Sequence, residues 1–183
     1  MFRLNERELT DLARTVVDRL KLLNLRIVLA ESCTGGLASA LLTRIPGVSE
    51  FHCGSAVVYQ IATKAEWLGV PKPLLKDPGP VSREVASKMA EGVLAVTPHA
   101  DIAGAITGHL GPGAPPKQDG LVYVAFARRG PSRKMQKISV TRYELAKEPG
   151  DDIKNAQRKR LRRQRSAAAH LLARILAELA GEA

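Results

Sequence analysis

Helically spaced hydrophobic positions alternate along the chain with short, continuous apolar runs. The first such segment, residues 5–23, is predicted to be an amphipathic helix. Its apolar face collects Leu9, Leu12, Val16, Val17, Leu20 and Leu23. Residues 26–30 (RIVLA) predict a buried strand, and residues 37–44 predict a helix that ends before Pro46. The beginning of the chain therefore predicts a helix, a strand, a tight turn and a second helix.

The middle of the chain repeats this alternation. Residues 55–59 (SAVVY) predict a strand, and residues 61–68 predict a helix that stops near a glycine and a proline. Residues 71–80 are rich in proline and predict a loop. Ser82 is then predicted to be the N-cap of a helix that extends to about residue 96.

The last third predicts strands and one long helix. Residues 101–107 and 121–127 predict buried strands, and residues 133–141 are predicted to pair antiparallel with the second of these. Residues 152–180 predict a helix whose inner face consists of Leu161, Ala168, Leu172, Ile175 and Leu179. This order predicts an α/β fold, a three-layer α/β/α single domain over residues 1–183 with a mixed, mostly parallel sheet.

Composition narrows the class of protein. Of 183 residues, 45% are hydrophobic but only 4% are aromatic, so the core must be aliphatic. No apolar run approaches the length of a membrane span, and the N-terminal sequence lacks the apolar region of a signal peptide, which predicts a cytoplasmic protein. The two cysteines, Cys33 and Cys53, are too few for a disulfide framework. No metal site is predicted, because no cysteine or histidine spacing supports one.

The formal net charge of +10 favours anionic partners. Residues 154–165 (KNAQRKRLRRQR) carry seven positive charges and no negative one. Arg158, Arg162 and Arg165 recur at helical spacing, as expected of a stripe that binds phosphate or nucleic acid. The alternative is the solvated face of a helix that packs by its leucines. No aromatic residues interrupt the run, which argues against stacking on single strands.

A candidate nucleophile follows the first strand, in the sequence AESCTGG at residues 30–36. At a helix N-terminus, free backbone N–H groups could stabilise an oxyanion formed by attack of Ser32. The alternative is that Ser32 or Thr34 only caps the helix. Cys33 is a rival nucleophile, or a packed structural cysteine.

A serine nucleophile needs a base, and no histidine lies in a triad or GxSxG context. Lys64 is a candidate if burial lowers its pKa, with Tyr59 as a hydrogen-bonding partner or proton relay. The alternative is an ordinary solvated lysine. The loop at residues 107–113 (TGHLGPG) could hold a phosphate with its N–H groups, or be an ordinary flexible turn, since it matches no known glycine motif.

Taken together and in order, these motifs resemble the CinA C-terminal-domain family, the nicotinamide-nucleotide amidohydrolases, over nearly the whole chain. AESCTGG is similar to the family's most distinctive signature. Tyr59 and Lys64 match its tyrosine and lysine after the second strand. Further matches are Val81-Ser82, Thr107-Gly108, Gly111-Pro112 and the segment Leu161-Arg162-Arg163-Gln164.

The resemblance implies hydrolysis of the carboxamide of nicotinamide mononucleotide to nicotinate mononucleotide and ammonia. It implies Ser32 as the nucleophile, Lys64 as its base and Tyr59 as an assisting residue. The implied substrate-binding residues are Glu31, Cys33, Thr34, Gly35, Gly36, Thr107, Gly108, Gly111, Arg158 and Arg162. The resemblance implies no metal or organic cofactor, and it favours a homodimer.

The chain also departs from the family's pattern. Ile61 replaces a usual asparagine near Lys64, and His109-Leu110 replaces Ile-Ala in the loop. Ala156-Gln157-Arg158 replaces a usual Gly-Asp-Arg. These departures keep two alternative hypotheses open: a non-catalytic nucleotide-binding protein on the same fold, and a nucleic-acid-binding protein that uses the basic run.

Overall fold

A computed structural model describes residues 5–146 and 155–181. It begins with helix α1 (Glu6–Leu23), which Asn5 and Glu8 start with a reciprocal capping box. Leu9, Val16, Val17 and Leu20 are fully buried along one face, as the apolar spacing predicts.

The other elements lie close to their predicted bounds. The strands are β1 (Ile27–Glu31), β2 (His52–Val57), β3 (Ile102–Gly108), β4 (Leu121–Arg129) and β5 (Met135–Glu144). The further helices are α2 (Leu37–Thr43), α3 (Ile61–Leu68), α4 (Lys72–Lys76), α5 (Arg83–Ala95) and α6 (Ala156–Ala180). Single 3₁₀ turns cover Val48–Glu50 and Pro116–Gln118.

The five strands form one mixed sheet in the order β2-β1-β3-β4-β5. β1 pairs in parallel with β2 and β3, whereas β4 pairs antiparallel with both β3 and β5. The carboxyl ends of β1, β2 and β3 therefore meet at one edge of the sheet. The chain passes from β2 across β1 to β3, and in open sheets of this kind ligands bind beside the strand ends where the order reverses.

Two hydrophobic clusters cover the two faces of this sheet. Ile27 and Leu29 of β1 pack with helices α1, α2 and α6, whereas Val28 and Ala30 pack with α3, α4 and α5. Successive strand residues point to opposite faces, so a continuously apolar strand serves both clusters. The predicted three-layer α/β/α arrangement with a mixed sheet is confirmed.

Some predictions about elements were wrong. The second strand begins at His52 and not at residue 55, because this edge strand is half-buried and its first residues lack an apolar run. The predicted loop at 71–80 contains α4, which buries Leu75. Leu161 is 53% exposed and does not belong to the inner face of α6, unlike the other four predicted positions, which are buried. The predicted start of that helix, residues 152–154, lies outside the described residues.

Membrane insertion receives no support from the helices. None of them, within the described ranges, is long and apolar enough to span a bilayer.

Candidate active site

The ends of the three parallel strands surround one cavity of about 230 Å³. Ser32 and Cys33 enter it directly after β1, Tyr59, Ile61 and Lys64 after β2, and Thr107 and Gly108 at the end of β3. The remaining lining consists of Pro80, Val81, His109, Leu110, Gly111, Pro112, Gly113, Ala114 and Arg160. Of the residues predicted from the sequence, the structure therefore brings together seven at this cavity: Ser32, Cys33, Tyr59, Lys64, Thr107, Gly108 and Gly111.

Lys64 is the most unusual side chain of this cavity. It is only 2% exposed, so the alternative of a solvated surface lysine is wrong. Its Nζ donates to the carbonyl of Val58 at 2.9 Å and lies 3.8 Å from Sδ of Met89. Burial disfavours the ammonium form and lowers the pKa of Lys64 to about 8. A neutral amine, able to accept a proton, is thereby available near neutral pH.

Ser32 does not cap the following helix. The N-cap of α2 is Gly36, with no side-chain cap, and the hydroxyl of Thr34 is buried without a hydrogen-bond partner. The alternative in which either hydroxyl only caps the helix is therefore wrong. The backbone N–H of Ser32 donates to the carbonyl of Ile106 at 3.1 Å, which fixes the serine between β1 and β3.

Glu31 satisfies the N-terminus of α2 instead. Its carboxylate is fully buried and accepts from the backbone N–H groups of Gly36, Ala38 and Ser39 at 2.9–3.1 Å, and from the hydroxyl of Ser55 at 3.3 Å. Because the carboxylate faces the helix and does not line the cavity, the prediction of Glu31 as a substrate-binding residue is corrected to a helix-capping role.

Only part of the predicted turn faces the cavity. Thr34, Gly35 and Gly36 do not line it, and the two glycines adopt φ of +63° and +95°, so the backbone path explains their presence. In this turn the N–H of Gly35 is bonded to the carbonyl of Ser32 and that of Gly36 to Glu31. Of this turn's other residues, Ser32 and Cys33 line the cavity, so the backbone N–H of Cys33 is the candidate oxyanion donor.

Cys33 lines the cavity, as predicted, but is a poor nucleophile. Burial raises the pKa of its thiol to about 12, so the reactive thiolate is scarce at neutral pH. Ser32 is the better candidate for attack.

The opposite wall is built from the end of β3 and the loop that follows it. The hydroxyl of Thr107 donates to the carbonyl of Pro80 at 2.8 Å, which ties this wall to the start of α5. Gly108 is required by packing, because a Cβ there would lie 2.4 Å from Cγ1 of Val122. His109 closes the loop through two backbone hydrogen bonds, one to Leu121 and one from Gly120.

The arginine at the cavity is Arg160, which the sequence analysis missed. Its Nη1 donates to the carbonyl of Gly111 at 2.7 Å, and its Nη2 donates to the hydroxyl of Tyr59. The predicted phosphate ligands Arg158 and Arg162 do not line the cavity, and Arg158 is exposed. On α6 these two lie on a different face from Arg160.

The spacing of residues along α6 could have identified Arg160 from the sequence as an inward-facing arginine. Arg160, Arg163, Ala167 and Leu171 follow one another at intervals of three or four residues. Ala167 and Leu171 are apolar and fully buried, so the arginines in phase with them point inward.

Tyr59 is 57% exposed. The predicted hydrogen bond between Tyr59 and Lys64 is not formed. The Tyr59 hydroxyl accepts from Arg160, while Nζ of Lys64 is turned toward Val58. Tyr59 therefore lies at the mouth of the cavity and Lys64 at its base.

Among the described residues, the cavity lining includes the basic side chains Lys64 and Arg160 and no carboxylate, which favours an anionic ligand. In residues 5–146 and 155–181, no group of three or more histidine, cysteine or acidic side chains is placed to hold a metal ion.

Comparison with known proteins agrees with this architecture. The family model described as the CinA C-terminal domain matches residues 9–171. "CinA-like protein" of Dictyoglomus thermophilum is 47% identical over 123 residues, 66% of this chain and 30% of that protein. The protein of the same name from Myxococcus xanthus is 40% identical over 136 residues, 70% of this chain and 31% of that protein. The matched region thus spans about a third of the length of these curated relatives.

Solved structures match over a larger share of their length. A competence-damaged protein (CinA) superfamily protein from Klebsiella pneumoniae has a TM-score of 0.81 at 25% identity, covering 94% of this chain and 98% of that one. The competence/damage inducible protein CihA from Agrobacterium tumefaciens has a TM-score of 0.73 at 32% identity, covering 90% and 94%.

Proposed function

Because this chain belongs to the CinA C-terminal domain family, we propose that it is an amidohydrolase that converts nicotinamide mononucleotide and water to nicotinate mononucleotide and ammonia. The observation that carries the proposal is the placement of Ser32 and a buried Lys64 in one cavity. A lysine with a pKa of about 8 is partly neutral near neutral pH and is suited to accept the proton of a serine.

In the acylation step, Oγ of Ser32 attacks the carboxamide carbon while Nζ of Lys64 takes the hydroxyl proton. The resulting oxyanion accepts a hydrogen bond from the backbone N–H of Cys33, which lies at the cavity directly after Ser32. The C–N bond then breaks, and Lys64 returns the proton to the leaving nitrogen, so ammonia departs and an acyl ester remains on Ser32.

In the second step, Lys64 takes a proton from water as the water oxygen attacks the ester carbon. Collapse of the second oxyanion breaks the bond to Oγ, and Lys64 returns the proton to Ser32. The product leaves as the carboxylic acid, which gives its proton to solvent and becomes the nicotinate carboxylate, and the free enzyme is restored.

Arg160 and Tyr59 are the proposed groups for the charged end of the nucleotide. The guanidinium of Arg160 lies at the cavity with one donor on Gly111 and another on Tyr59. A guanidinium binds a phosphate through parallel hydrogen bonds, so it suits the anionic group better than an ammonium would. We therefore assign phosphate binding to Arg160 and not to Arg158 or Arg162.

One observation favours the second candidate, a nucleotide-binding protein without turnover. Nζ of Lys64 donates to the carbonyl of Val58, and no hydrogen bond joins it to Oγ of Ser32. Ile61 also lines the cavity, at a position where the family that the sequence resembles usually has an asparagine. Turnover therefore requires that Lys64 approach Ser32 when substrate binds, whereas simple binding does not.

The basic run at residues 154–165 does not support the hypothesis of a nucleic-acid-binding protein. Arg163 is 1% exposed and Lys159 is paired with Asp119, so these two charges do not face solvent. Arg160 lines the cavity, and Arg165 is paired with Glu6. Lys154 lies outside the described residues. The run is thus not one continuous exposed stripe.

The deciding experiment is release of ammonia from nicotinamide mononucleotide by the purified chain, with Ser32→Ala and Lys64→Met beside it. We expect both variants to lose at least about a hundredfold in kcat/KM, because nucleophile and base act as one unit. Ser39→Ala is the matched control, since Ser39 lies on α2 outside the cavity and its hydroxyl contacts His52 of β2.

Each outcome favours one candidate. Full activity in Ser32→Ala would contradict the assignment of Ser32 as the nucleophile. Tight binding of the nucleotide without ammonia release, in the unaltered chain, favours the non-catalytic candidate. From the resemblance alone we also propose a cytoplasmic homodimer, and sedimentation of the purified chain tests the dimer.

A further inference from the structure

We propose that the ion pair of Asp119 with the buried Arg163 is a positioning pair, which holds one wall of the cavity in its ligand-binding shape. That wall belongs to the pocket loop, residues 109–120, of which residues 109–114 line the cavity. The inference rests on the proposed function for its kinetic test, but its structural claim concerns the pocket loop alone. Neither residue lines the cavity, so the pair acts through its neighbours.

Arg163 holds both the first and last parts of the pocket loop. Its Nη1 and Nη2 donate to the two carboxylate oxygens of Asp119 at 2.6 and 3.2 Å. Nη1 also lies 3.4 Å from the carbonyl of Leu110, and Nε lies 3.4 Å from that of Ala146. One guanidinium on α6 therefore contacts the side chain of Asp119 and two backbone carbonyls, those of Leu110 and Ala146.

Gly111 and Gly120 pack so closely against this ion pair that neither position has room for a side chain. A Cβ on Gly111 would lie 2.8 Å from Oδ1 of Asp119 and 3.3 Å from Nη1 of Arg163. A Cβ on Gly120 would lie 3.2 Å from Nη2 of Arg163. Both glycines have positive φ, so the loop wraps closely around the guanidinium.

The connection to the cavity runs through Gly111 and Arg160. Gly111 lines the cavity and contacts the ion pair, and its carbonyl accepts from Arg160. Arg160 lies three residues before Arg163 on α6, on the same side of the helix. Docking the pocket loop on Arg163 thus sets the distance between Arg160 and the loop, and with it the site for the anionic group.

The electrostatics make the pair persistent. Hydrogen bonds from Arg163, together with Lys159 at 3.1 Å, hold the pKa of Asp119 at about 2. The carboxylate therefore stays ionised throughout the range in which the enzyme can be assayed.

The test compares Asp119→Asn with Glu178→Gln. Glu178 is an equally suitable control, because its carboxylate is buried on α6 and paired with Arg174 and Lys137 away from the cavity. We expect Asp119→Asn to raise KM for nicotinamide mononucleotide about tenfold with kcat nearly unchanged, since Ser32 and Lys64 lie on other elements. Glu178→Gln should leave KM unchanged, and Asp119→Glu should recover part of the affinity.

Amide hydrogen exchange provides a second measurement that does not depend on activity. The N–H of Gly120 donates to the carbonyl of His109, and the N–H of His109 donates to the carbonyl of Leu121, so both amides close the base of the loop. In Asp119→Asn we expect them to exchange at least about tenfold faster, while amides of β1 stay protected. Glu178→Gln should leave both sets unchanged.

These measurements distinguish failure of the proposed function from failure of the positioning role. If the unaltered chain neither binds nor hydrolyses the nucleotide, the proposed function is wrong, and the exchange data still decide whether the ion pair orders the loop. An unchanged KM together with unchanged exchange in Asp119→Asn overturns the positioning role. A KM that rises equally in Glu178→Gln overturns it as well, because the effect would then be one of general stability.

Discussion

At the scale of single residues, burial decides which of many similar side chains has unusual chemistry. The chain has 28 lysines and arginines, and the residues next to Lys64 do not show that its side chain is buried. It becomes distinctive because α3 turns it beneath the cavity, against Val58 and Met89. The loss of water around the ammonium lowers the pKa to about 8.

The pH profile should report this pKa. Below about pH 8 Lys64 is mostly protonated and cannot accept a proton, so kcat/KM is expected to rise about tenfold per pH unit and level off above that pH. Steady-state ammonia release across this range is the measurement, with Lys64→Arg as the control that keeps the charge but not the base. A flat profile would show that Lys64 is not the base.

At the scale of elements, β1 and α2 are joined by one carboxylate. Helix α2 has seven residues and no side-chain cap of its own, and Glu31 at the end of β1 accepts from its first N–H groups. A negative charge at a helix N-terminus is also favoured by the helix dipole. The AESCTGG turn is therefore shaped as much by helix capping as by chemistry.

Replacing Glu31 should destabilise the protein. In Glu31→Gln an amide N–H₂ faces backbone donors, so we expect a loss of about 1–3 kcal/mol in the free energy of unfolding. Urea denaturation is the measurement. Ser55→Ala, which removes only the 3.3 Å hydrogen bond to the same carboxylate, is the matched control and should lose less. Equal stability of Glu31→Gln and the unaltered chain would contradict the capping role.

At the scale of the whole molecule, the positive charge and the cavity point to the same ligand class. The formal net charge is +10, and the described residues that line the cavity include Lys64 and Arg160 and no carboxylate. Such a field attracts an anionic nucleotide before any contact forms.

Binding should consequently weaken with salt. Raising the ionic strength from about 0.01 M to about 0.15 M shortens the Debye length from roughly 30 Å to roughly 8 Å. We expect KM for nicotinamide mononucleotide to rise over this range while kcat stays nearly constant. Sucrose at matched osmolality is the control. A KM that is insensitive to salt would mean that the net charge serves another purpose.

The sequence alone was sufficient for the layers and for most of the candidate site. Helical spacing and apolar runs are local properties, so they located α1, α5 and the buried strands. Ser32, Tyr59, Lys64 and Thr107 could be selected because each belongs to a motif beside a strand end. The edge strand β2 was misplaced at its start, since a half-buried strand has no continuous apolar run.

What only the tertiary structure decided depends on contacts between distant segments. The sequence determined the fold class, the order of elements and the residues that face the cavity from three strand ends. It could not determine that Glu31 caps α2, that Arg160 and not Arg158 reaches the cavity, or that Arg163 holds Asp119 from 44 positions away. Hydrophobic periodicity is written in neighbouring residues, whereas the partner of a buried charge is chosen by whichever segment the fold places beside it.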